Sequence, residues 1–464
     1  MSLQPTLRSG AQAQATYFGE YIVQPKHHLT VHKFGPINQA EIGLNQINIL
    51  IGPQSSGKST ISKLAFFFLN LRDEFIEFIL DAIEDSSNDE PKLRDFIKIT
   101  RRRFVEFWGP SPQKSDVFIK YHYTSDTWAT ISLDSEKHRY TNPEFSTSII
   151  DALHSIYREA SSIVKRIDGR ASSKLFSTVD NISESRSRSD VISLVKHRAN
   201  ELFAFERELL FIPAGRSLLS TLSDQLQFIH PHQLDYPLRS FIERINHSKS
   251  FFSRPIDELI QDRQLLGSEP IRYSAVRKVE GLIKRILKGE YIHDKDGGKL
   301  FVDKKTYTKI SFASSGQQES VWILLSLFLV ILEKINASVF IEEPEAHLFP
   351  VAQAEMVELL CFIANSLGTQ FFVTTHSPYF LSAINNHLYA GNIATRTPTQ
   401  VSQIMPENEW LKAEQVSGLF VNNGTVENLV DDELGLLKVE LIDNASSLIN
   451  TQYEELFEVD RASN

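Results

Sequence analysis

The stretch Gly52-Pro53-Gln54-Ser55-Ser56-Gly57-Lys58-Ser59-Thr60 decides the fold of this 464-residue chain. It matches the phosphate-binding loop pattern G-x-x-x-x-G-K-[ST]. The apolar run at residues 47–51 before it is typical of a buried strand, and residues 61–69 after it favour a helix. The alternative is an ordinary glycine turn, but the full pattern between a strand and a helix rarely arises by chance.

Such a loop suits an anion for two reasons. Its backbone N–H groups point into a concavity, and the helix that follows adds a partial positive charge at its N-terminus. Lys58 is placed to reach the β- and γ-phosphates of a nucleotide, and Ser59 is placed to ligate magnesium. We therefore predict that residues 52–60 line a nucleotide site.

Composition bounds the class of protein. The length allows about two to four domains. A net charge of −10 does not suggest a dominant, non-specific nucleic-acid surface, although residues 101–103 form a local basic cluster. The single cysteine, Cys361, excludes intramolecular disulfides and fits a reducing cytoplasm. The polar N-terminus lacks a signal pattern, and the most apolar run, residues 321–332, is shorter than a membrane span. We expect a cytoplasmic protein, a buried helix at 321–332 and no membrane partner.

Small polar residues open directly onto that apolar helix. Ser314, Ser315, Gly316 and Gln317 stand at its predicted start. A helix start of this kind offers free N–H groups and hydroxyls to an anion. The alternative is an ordinary N-cap. By itself this segment is a weak signal, and it gains weight only from the rest of the chain.

Two carboxylates follow another apolar run. Residues 339–341 lead into Glu342 and Glu343, which predicts a buried strand ending at the phosphate site. Because side chains alternate on a strand, the two carboxylates are expected to point different ways. We predict that Glu342 lies beside magnesium and that Glu343 orients or deprotonates a water, as phosphoryl transfer requires.

Polar residues also end the next two predicted strands. His376 follows the apolar run 371–373, and we predict that it contacts the γ-phosphate or holds the attacking water. Arg216 follows the run 209–212. It faces the nucleotide or a partner subunit, or it is a structural arginine in a salt bridge; the sequence leaves both interpretations open.

Taken in order, the loop, Ser-Ser-Gly-Gln, Glu-Glu-Pro-Glu and Thr-His-Ser resemble an ABC-type ATPase. More narrowly, they resemble the soluble group related to chromosome-maintenance (SMC) and DNA-repair ATPases and to the OLD family. By this resemblance residues 52–60 are the Walker A motif, residues 314–317 the signature motif, residues 339–343 the Walker B strand and His376 the switch histidine. The signature departs from the usual Leu-Ser-Gly-Gly-Gln, and Glu342 stands where Asp is usual. No glutamine loop is identified between residues 61 and 210.

The resemblance implies an α/β fold, with a mixed and parallel sheet, flanking helices and a helical insertion, that uses ATP and Mg²⁺. The pattern along the chain divides it into five regions. They are an N-terminal ATPase lobe (1–70), a mostly helical insertion with a β-hairpin (71–207), a strand, helices and a hairpin returning to the core (208–312), a C-terminal ATPase lobe (313–395) and a C-terminal extension (396–464).

The resemblance also implies a head-to-tail dimer in which the signature of one copy caps the nucleotide of another. The size, the short insertion and the expected lack of a nuclease region after His376 resemble the ATPases of anti-phage defence systems such as PARIS and Septu. This implies a homo-oligomer built on ATPase dimers, a phage protein as trigger and a TOPRIM-type nuclease as effector. The alternatives are a DNA-repair ATPase that binds DNA and, more weakly, a transporter subunit.

Overall fold

A six-stranded sheet forms the centre of the molecule. The computed structural model describes residues 27–84, 90–109, 116–133, 142–171, 179–221, 234–266, 273–431, 433–439 and 444–463.

The strands and helices are given in chain order. The strands are β1 (His28–Phe34), β2 (Ile37–Gly43), β3 (Ile47–Ile51), β4 (Val117–His122), β5 (Trp128–Leu133), β6 (Asn142–Phe145), β7 (Glu208–Ile212), β8 (Glu290–Asp294), β9 (Gly297–Phe301), β10 (Tyr307–Lys309), β11 (Ala337–Glu342), β12 (Gln370–Thr375), β13 (Val416–Asn422) and β14 (Thr425–Asn428). The helices are α1 (Lys58–Glu84), α2 (Leu93–Trp108), α3 (Thr147–Ala171), α4 (Val179–Phe203), α5 (Ser217–Thr221), α6 (Tyr236–Ser248), α7 (Ile256–Leu266), α8 (Tyr273–Leu287), α9 (Ser315–Leu332), α10 (Pro350–Leu367), α11 (Pro378–Ala394), α12 (Pro398–Ser402) and α13 (Asn444–Ser463). Short 3₁₀ turns lie at Lys249–Ser253, Ile310–Phe312, Glu407–Glu409 and Ala413–Gln415.

The central sheet is parallel except at one edge. Its order is β14-β13-β3-β12-β11-β7, and only β14 runs antiparallel to its neighbour. Every residue of β3 and β11 is buried, as expected for strands covered on both faces. The register pairs Ile51 with Thr375, and Thr374 with Glu342. The carboxyl ends of the strands therefore share one edge of the sheet.

Helices cover both faces of this sheet because its buried side chains alternate between two cores. Ile49 belongs to the core shared with α8, α9, α10 and α11, whereas Leu50 belongs to the core shared with α1. On the α1 side, the Phe66 ring meets Phe211 and Phe340 edge-on, with ring centroids 5.2 and 5.3 Å apart. These contacts fix α1 against the sheet and so fix the loop that precedes it.

Two smaller antiparallel sheets complete the architecture. The first has the order β2-β1-β4-β5-β6 and packs on the α1 core, and the second has the order β10-β9-β8. The hairpin predicted within the insertion is present as part of three strands, β4 to β6. The boundary predicted at residues 70 and 71 lies inside α1, which continues to Glu84. The parallel and antiparallel sheets with flanking helices confirm the predicted α/β class.

Helix α9 is long and apolar enough, by length and composition, to cross a membrane. Most of its side chains, including Trp322 and Phe328, are buried in the core shared with α8 and the sheet. A core helix of this kind passes the same test of apolar length. The prediction of a buried helix at 321–332 is therefore confirmed.

Candidate nucleotide-binding site

The loop 52–60 connects β3 to α1, which begins at Lys58. Its two glycines are required by close approaches. A Cβ on Gly52 would lie 2.0 Å from the carbonyl oxygen of Val421 in β13, and a Cβ on Gly57 would lie 2.2 Å from Ile37 Cδ1. Gly57 also has a φ of +111°, which side chains other than glycine rarely adopt. The loop thus follows a backbone path that only glycine permits.

Lys58 points back into the loop. Its Nζ donates to the carbonyl oxygens of Gly52 at 2.9 Å and Pro53 at 2.8 Å, and the residue is only 5% exposed. Burial lowers the pKa of Lys58 to about 8, against the opposing effect of the carboxylates of Glu343 and Glu345. In this structure the ammonium of Lys58 is bonded to the dipoles of these two carbonyl groups. An anion bound in the loop would give it a partner of full negative charge.

The carboxylates at the end of β11 point to different neighbours. Glu342 is 6% exposed; its Oε2 accepts from Ala214 N at 3.2 Å, and its Oε1 is buried without a hydrogen-bond partner among the described residues. The Glu343 side chain is 41% exposed and lies toward β12, with Oε1 3.3 Å from His376 Nε2.

His376 brings three of the predicted residues together. Its Nε2 faces Glu343, and its Nδ1 lies 3.5 Å from Lys58 Nζ. If Nδ1 accepts from the ammonium of Lys58, Nε2 carries a proton and donates it toward the carboxylate of Glu343. A cation, an imidazole and a half-exposed carboxylate therefore meet at the edge where three parallel strands end.

Glu345 was not assigned a role from the sequence. It is 8% exposed, and its Oε1 accepts from Thr375 Oγ1 at 2.6 Å and from His376 N at 2.8 Å. Its Oε2 is buried without a hydrogen-bond partner among the described residues, and burial raises the pKa of this carboxyl. In the sequence, only its position in the Glu-Glu-Pro-Glu run indicates that Glu345 belongs to the site. The run does not predict that Glu345 turns back and accepts from His376.

The residues at the start of α9 form a capping box. Ser314 Oγ accepts from Gln317 N, and Gln317 Oε1 accepts from Ser314 N at 3.1 Å. Gly316 is close to the chain after β11, because a Cβ there would lie 2.6 Å from the carbonyl oxygen of His347. Ser315 is exposed. In the described part of the chain, no hydrogen bond or ion pair joins residues 314–317 to residues 52–60.

Arg216 is fully buried, so it does not present its charge to a ligand. Its guanidinium pairs with Glu319 in α9, with Nε 3.4 Å from Oε2, and also donates to backbone carbonyls at the end of β11. Of the two interpretations left open by the sequence, the salt-bridged structural arginine agrees with this geometry.

The donor set fits magnesium. Mg²⁺ is usually held by one or two protein oxygens together with phosphates and waters, rather than by a cage of side chains. Glu342 Oε1 and Ser56 Oγ are buried, without hydrogen-bond partners among the described residues, and Ser59 is exposed at the start of α1. Within the part of the chain that the structure describes, no group of three His, Cys, Asp or Glu is arranged to hold a metal.

Comparison with known proteins identifies the family. The sequence matches the AAA ATPase domain family over residues 27–381. This chain belongs to the AAA ATPase domain family. The match covers the loop, the start of α9, both glutamates and His376, and it assigns nucleotide binding and ATP hydrolysis at the level of the family. The predicted P-loop ATPase fold is thereby confirmed.

Solved structures similar to this AAA ATPase include SMC heads. An SMC head bound to the C-terminal winged-helix domain of ScpA is 11% identical, with a TM-score of 0.40, and the match covers 87% of this chain and 97% of that one. The SMC head domain from Thermotoga maritima is 13% identical, with a TM-score of 0.35, and the match covers 87% and 98%. No curated protein matches this AAA ATPase.

Proposed function

We propose that this protein hydrolyses ATP to ADP and phosphate at the carboxyl edge of its central sheet, with Mg²⁺. The observation that carries the proposal is the meeting of Lys58, His376 and Glu343 beside the glycine loop. A phosphate-binding cation, a group that can hold a γ-phosphate or a water, and a proton acceptor are the parts that phosphoryl transfer needs.

Binding is assigned to residues 52–60. The loop N–H groups and the start of α1 receive the phosphates, and Lys58 exchanges its two carbonyl partners for phosphate oxygens. Ser59 and Glu342 hold magnesium, because Glu342 has a buried oxygen without a hydrogen-bond partner in the described structure. Bound magnesium supplies charge neutralisation at the β- and γ-phosphates.

Hydrolysis is assigned to Glu343 and His376. The Glu343 carboxylate accepts a proton from the attacking water, and its partial exposure leaves room for that water. His376 Nε2, held near Glu343 Oε1, donates either to the γ-phosphate or to the water. Glu345 holds the backbone N–H of His376, so the imidazole enters the site from a fixed position.

We also propose that ATP joins two copies of the chain. The start of α9 (residues 314–317) is not bonded to its own loop, and a helix start offers N–H groups to a phosphate on another copy. Two apolar side chains near it are exposed, Phe312 at 79% and Phe349 at 75%. Exposed apolar side chains beside a polar site are typical of an interface.

Two substitutions test the chemistry. Lys58→Ala removes a charge-assisted phosphate contact and is expected to weaken ATP binding at least about tenfold. Glu343→Gln keeps the shape but not the base; we expect ATP to bind, hydrolysis to fall about 10²- to 10⁴-fold, and dimers to accumulate. Lys63→Ala is the matched control, since Lys63 lies on the same helix and pairs with Asp235. Parental hydrolysis by Glu343→Gln would refute the role of Glu343.

The biological role follows from the resemblance and is proposed on that basis alone. We propose a cytoplasmic regulatory ATPase of anti-phage defence, similar to the ATPase of the PARIS system, that holds or releases a TOPRIM-type nuclease when a phage protein is sensed. Co-purification of the Glu343→Gln protein from its native host, followed by identification of the bound proteins, tests this role. A nuclease partner supports it, whereas salt-dependent binding to duplex DNA or a bound permease would contradict it.

A further inference from the structure

Arg216 makes an unusual set of contacts for a buried cation. Its guanidinium donates to four backbone carbonyls: those of Glu319 at 2.9 Å, Pro213 at 2.5 Å, Glu342 at 2.6 Å and Glu343 at 2.9 Å. The residue is 0% exposed. Two of these carbonyls belong to the residues assigned to magnesium and to the attacking water. The guanidinium therefore binds the backbone of the two catalytic glutamates and not their side chains.

The backbone of Glu343 needs such support. Its φ of +47° lies in the left-handed region, which is unfavourable for a residue with a Cβ. Its N–H donates to the carbonyl oxygen of Thr374 at 2.9 Å, and its own carbonyl oxygen accepts from Arg216 and from Ala346 N. Hydrogen bonds thus hold both the N–H and the carbonyl oxygen of Glu343. The direction of its side chain toward His376 depends on these bonds.

Glu319, a residue of α9, is bonded to Arg216. Its carboxylate accepts from Arg216 N at 3.0 Å and from Ser217 N at 2.9 Å, and it balances the buried guanidinium. A buried charge without a partner is costly, so the two side chains are bound to each other. Glu319 lies in the same helix that begins at Ser314. The Arg216–Glu319 pair thus connects α9 with the backbone of Glu343. The start of α9 is the segment proposed to contact the nucleotide bound by a second copy.

We propose that Arg216 is a positioning residue that sets the Glu343 carboxylate, and that Glu319 makes this setting depend on the position of α9. The inference rests on the role proposed for Glu343 and adds to it a connection within one chain. A shift of α9 on assembly would move Glu319, and the guanidinium would pass that movement to the carbonyl of Glu343. Arg216 acts through Glu343 and does not touch the nucleotide.

The main test is Arg216→Lys in the full chain. A lysine keeps the charge near Glu319 but cannot bind several carbonyls from one planar group. We expect ATP affinity and KM to stay within about twofold, and kcat to fall about 10²-fold, as for a misplacement of about 1 Å at a catalytic group. Arg72→Lys is the matched control: Arg72 is also buried, pairs with Asp73 and donates to a backbone carbonyl, but lies on α1 away from these carboxylates. It should lower stability with kcat unchanged.

A double-mutant comparison separates this inference from the proposed function. If Arg216 acts only through Glu343, Arg216→Lys should cause no further loss of kcat in the Glu343→Gln protein. Full activity of Glu343→Gln would overturn the proposed function. An inactive Glu343→Gln protein with a parental kcat for Arg216→Lys would overturn only the positioning role, and so would a loss confined to KM.

Glu319→Gln provides the test if the Arg216 variant does not fold. It keeps the shape of the side chain and removes the charge that balances the guanidinium. We expect kcat to fall about tenfold at unchanged ATP affinity, because charge-assisted bonds are roughly twice as strong as neutral ones. A folded Glu319→Gln protein with parental kcat would refute the connection to α9.

Discussion

The buried ammonium of Lys58 predicts a pH dependence of ATP binding. With a pKa of about 8 in the free protein, Lys58 is mostly protonated at pH 7 and mostly neutral at pH 9. Phosphate favours the charged form, so its pKa rises in the complex. The full affinity is therefore present below about pH 7. It falls about twofold by pH 8 and about tenfold by pH 9, and it continues to fall until the pKa of the complex is reached.

Calorimetry measures both parts of this prediction. Titrations of the unmodified protein with Mg²⁺ and a non-hydrolysable ATP analogue at pH 7, 8 and 9, each in two buffers of different ionisation enthalpy, give the affinity and the number of protons taken up. We expect almost no uptake at pH 7, about half a proton at pH 8 and close to one at pH 9. Lys58→Arg is the control, because arginine stays protonated throughout this range. An affinity that is constant from pH 7 to pH 9, without proton uptake, would refute the reasoning.

Three further predictions concern single side chains. Glu345→Gln keeps an acceptor for Thr375 and His376 and should retain kcat within about threefold, whereas Glu345→Ala leaves the buried hydroxyl of Thr375 and the N–H of His376 without this acceptor and should lower kcat about tenfold; equal rates for the two variants would contradict this positioning role. Gly52→Ala places a Cβ 2.0 Å from a backbone oxygen of β13 and should destabilise the protein by about 1–3 kcal/mol in urea unfolding, while Gly281→Ala, with no atom within 4 Å, should be neutral or stabilising. Phe66→Ala removes a ring that is 4% exposed and should cost about 3–5 kcal/mol, so a loss below about 1 kcal/mol would show that the α1 contact with the sheet is not needed.

Local pattern predicted the parts of the site that lie next to one another in the chain. The apolar run before residue 52 and the helix after residue 60 were sufficient to place the loop, because strand, loop and helix are consecutive. The approach of His376 to Lys58 also followed from pattern. Both residues belong to segments that end parallel strands of one sheet, and such ends share an edge.

Contacts between distant segments could not be predicted in the same way. The partners of Arg216 depend on how α9 packs beside β7 and β11, which no periodicity encodes. The return of Glu345 to His376 depends on the left-handed backbone at Glu343, a conformation that residue preferences disfavour. The predicted division between residues 70 and 71 falls within α1, which continues to Glu84 as a single helix.

The loop is enclosed by chain segments that a ribosome makes at very different times. β13 pairs in parallel with β3, and the carbonyl oxygen of Val421 lies against Gly52. The backbone of Asn38 donates to the carbonyl oxygen of Gly424, which closes the same side. At about 5–20 residues per second, the loop emerges some tens of seconds before the strand that completes its wall. A nascent chain that has not reached Val416 therefore carries the motif without the strand that completes its pocket.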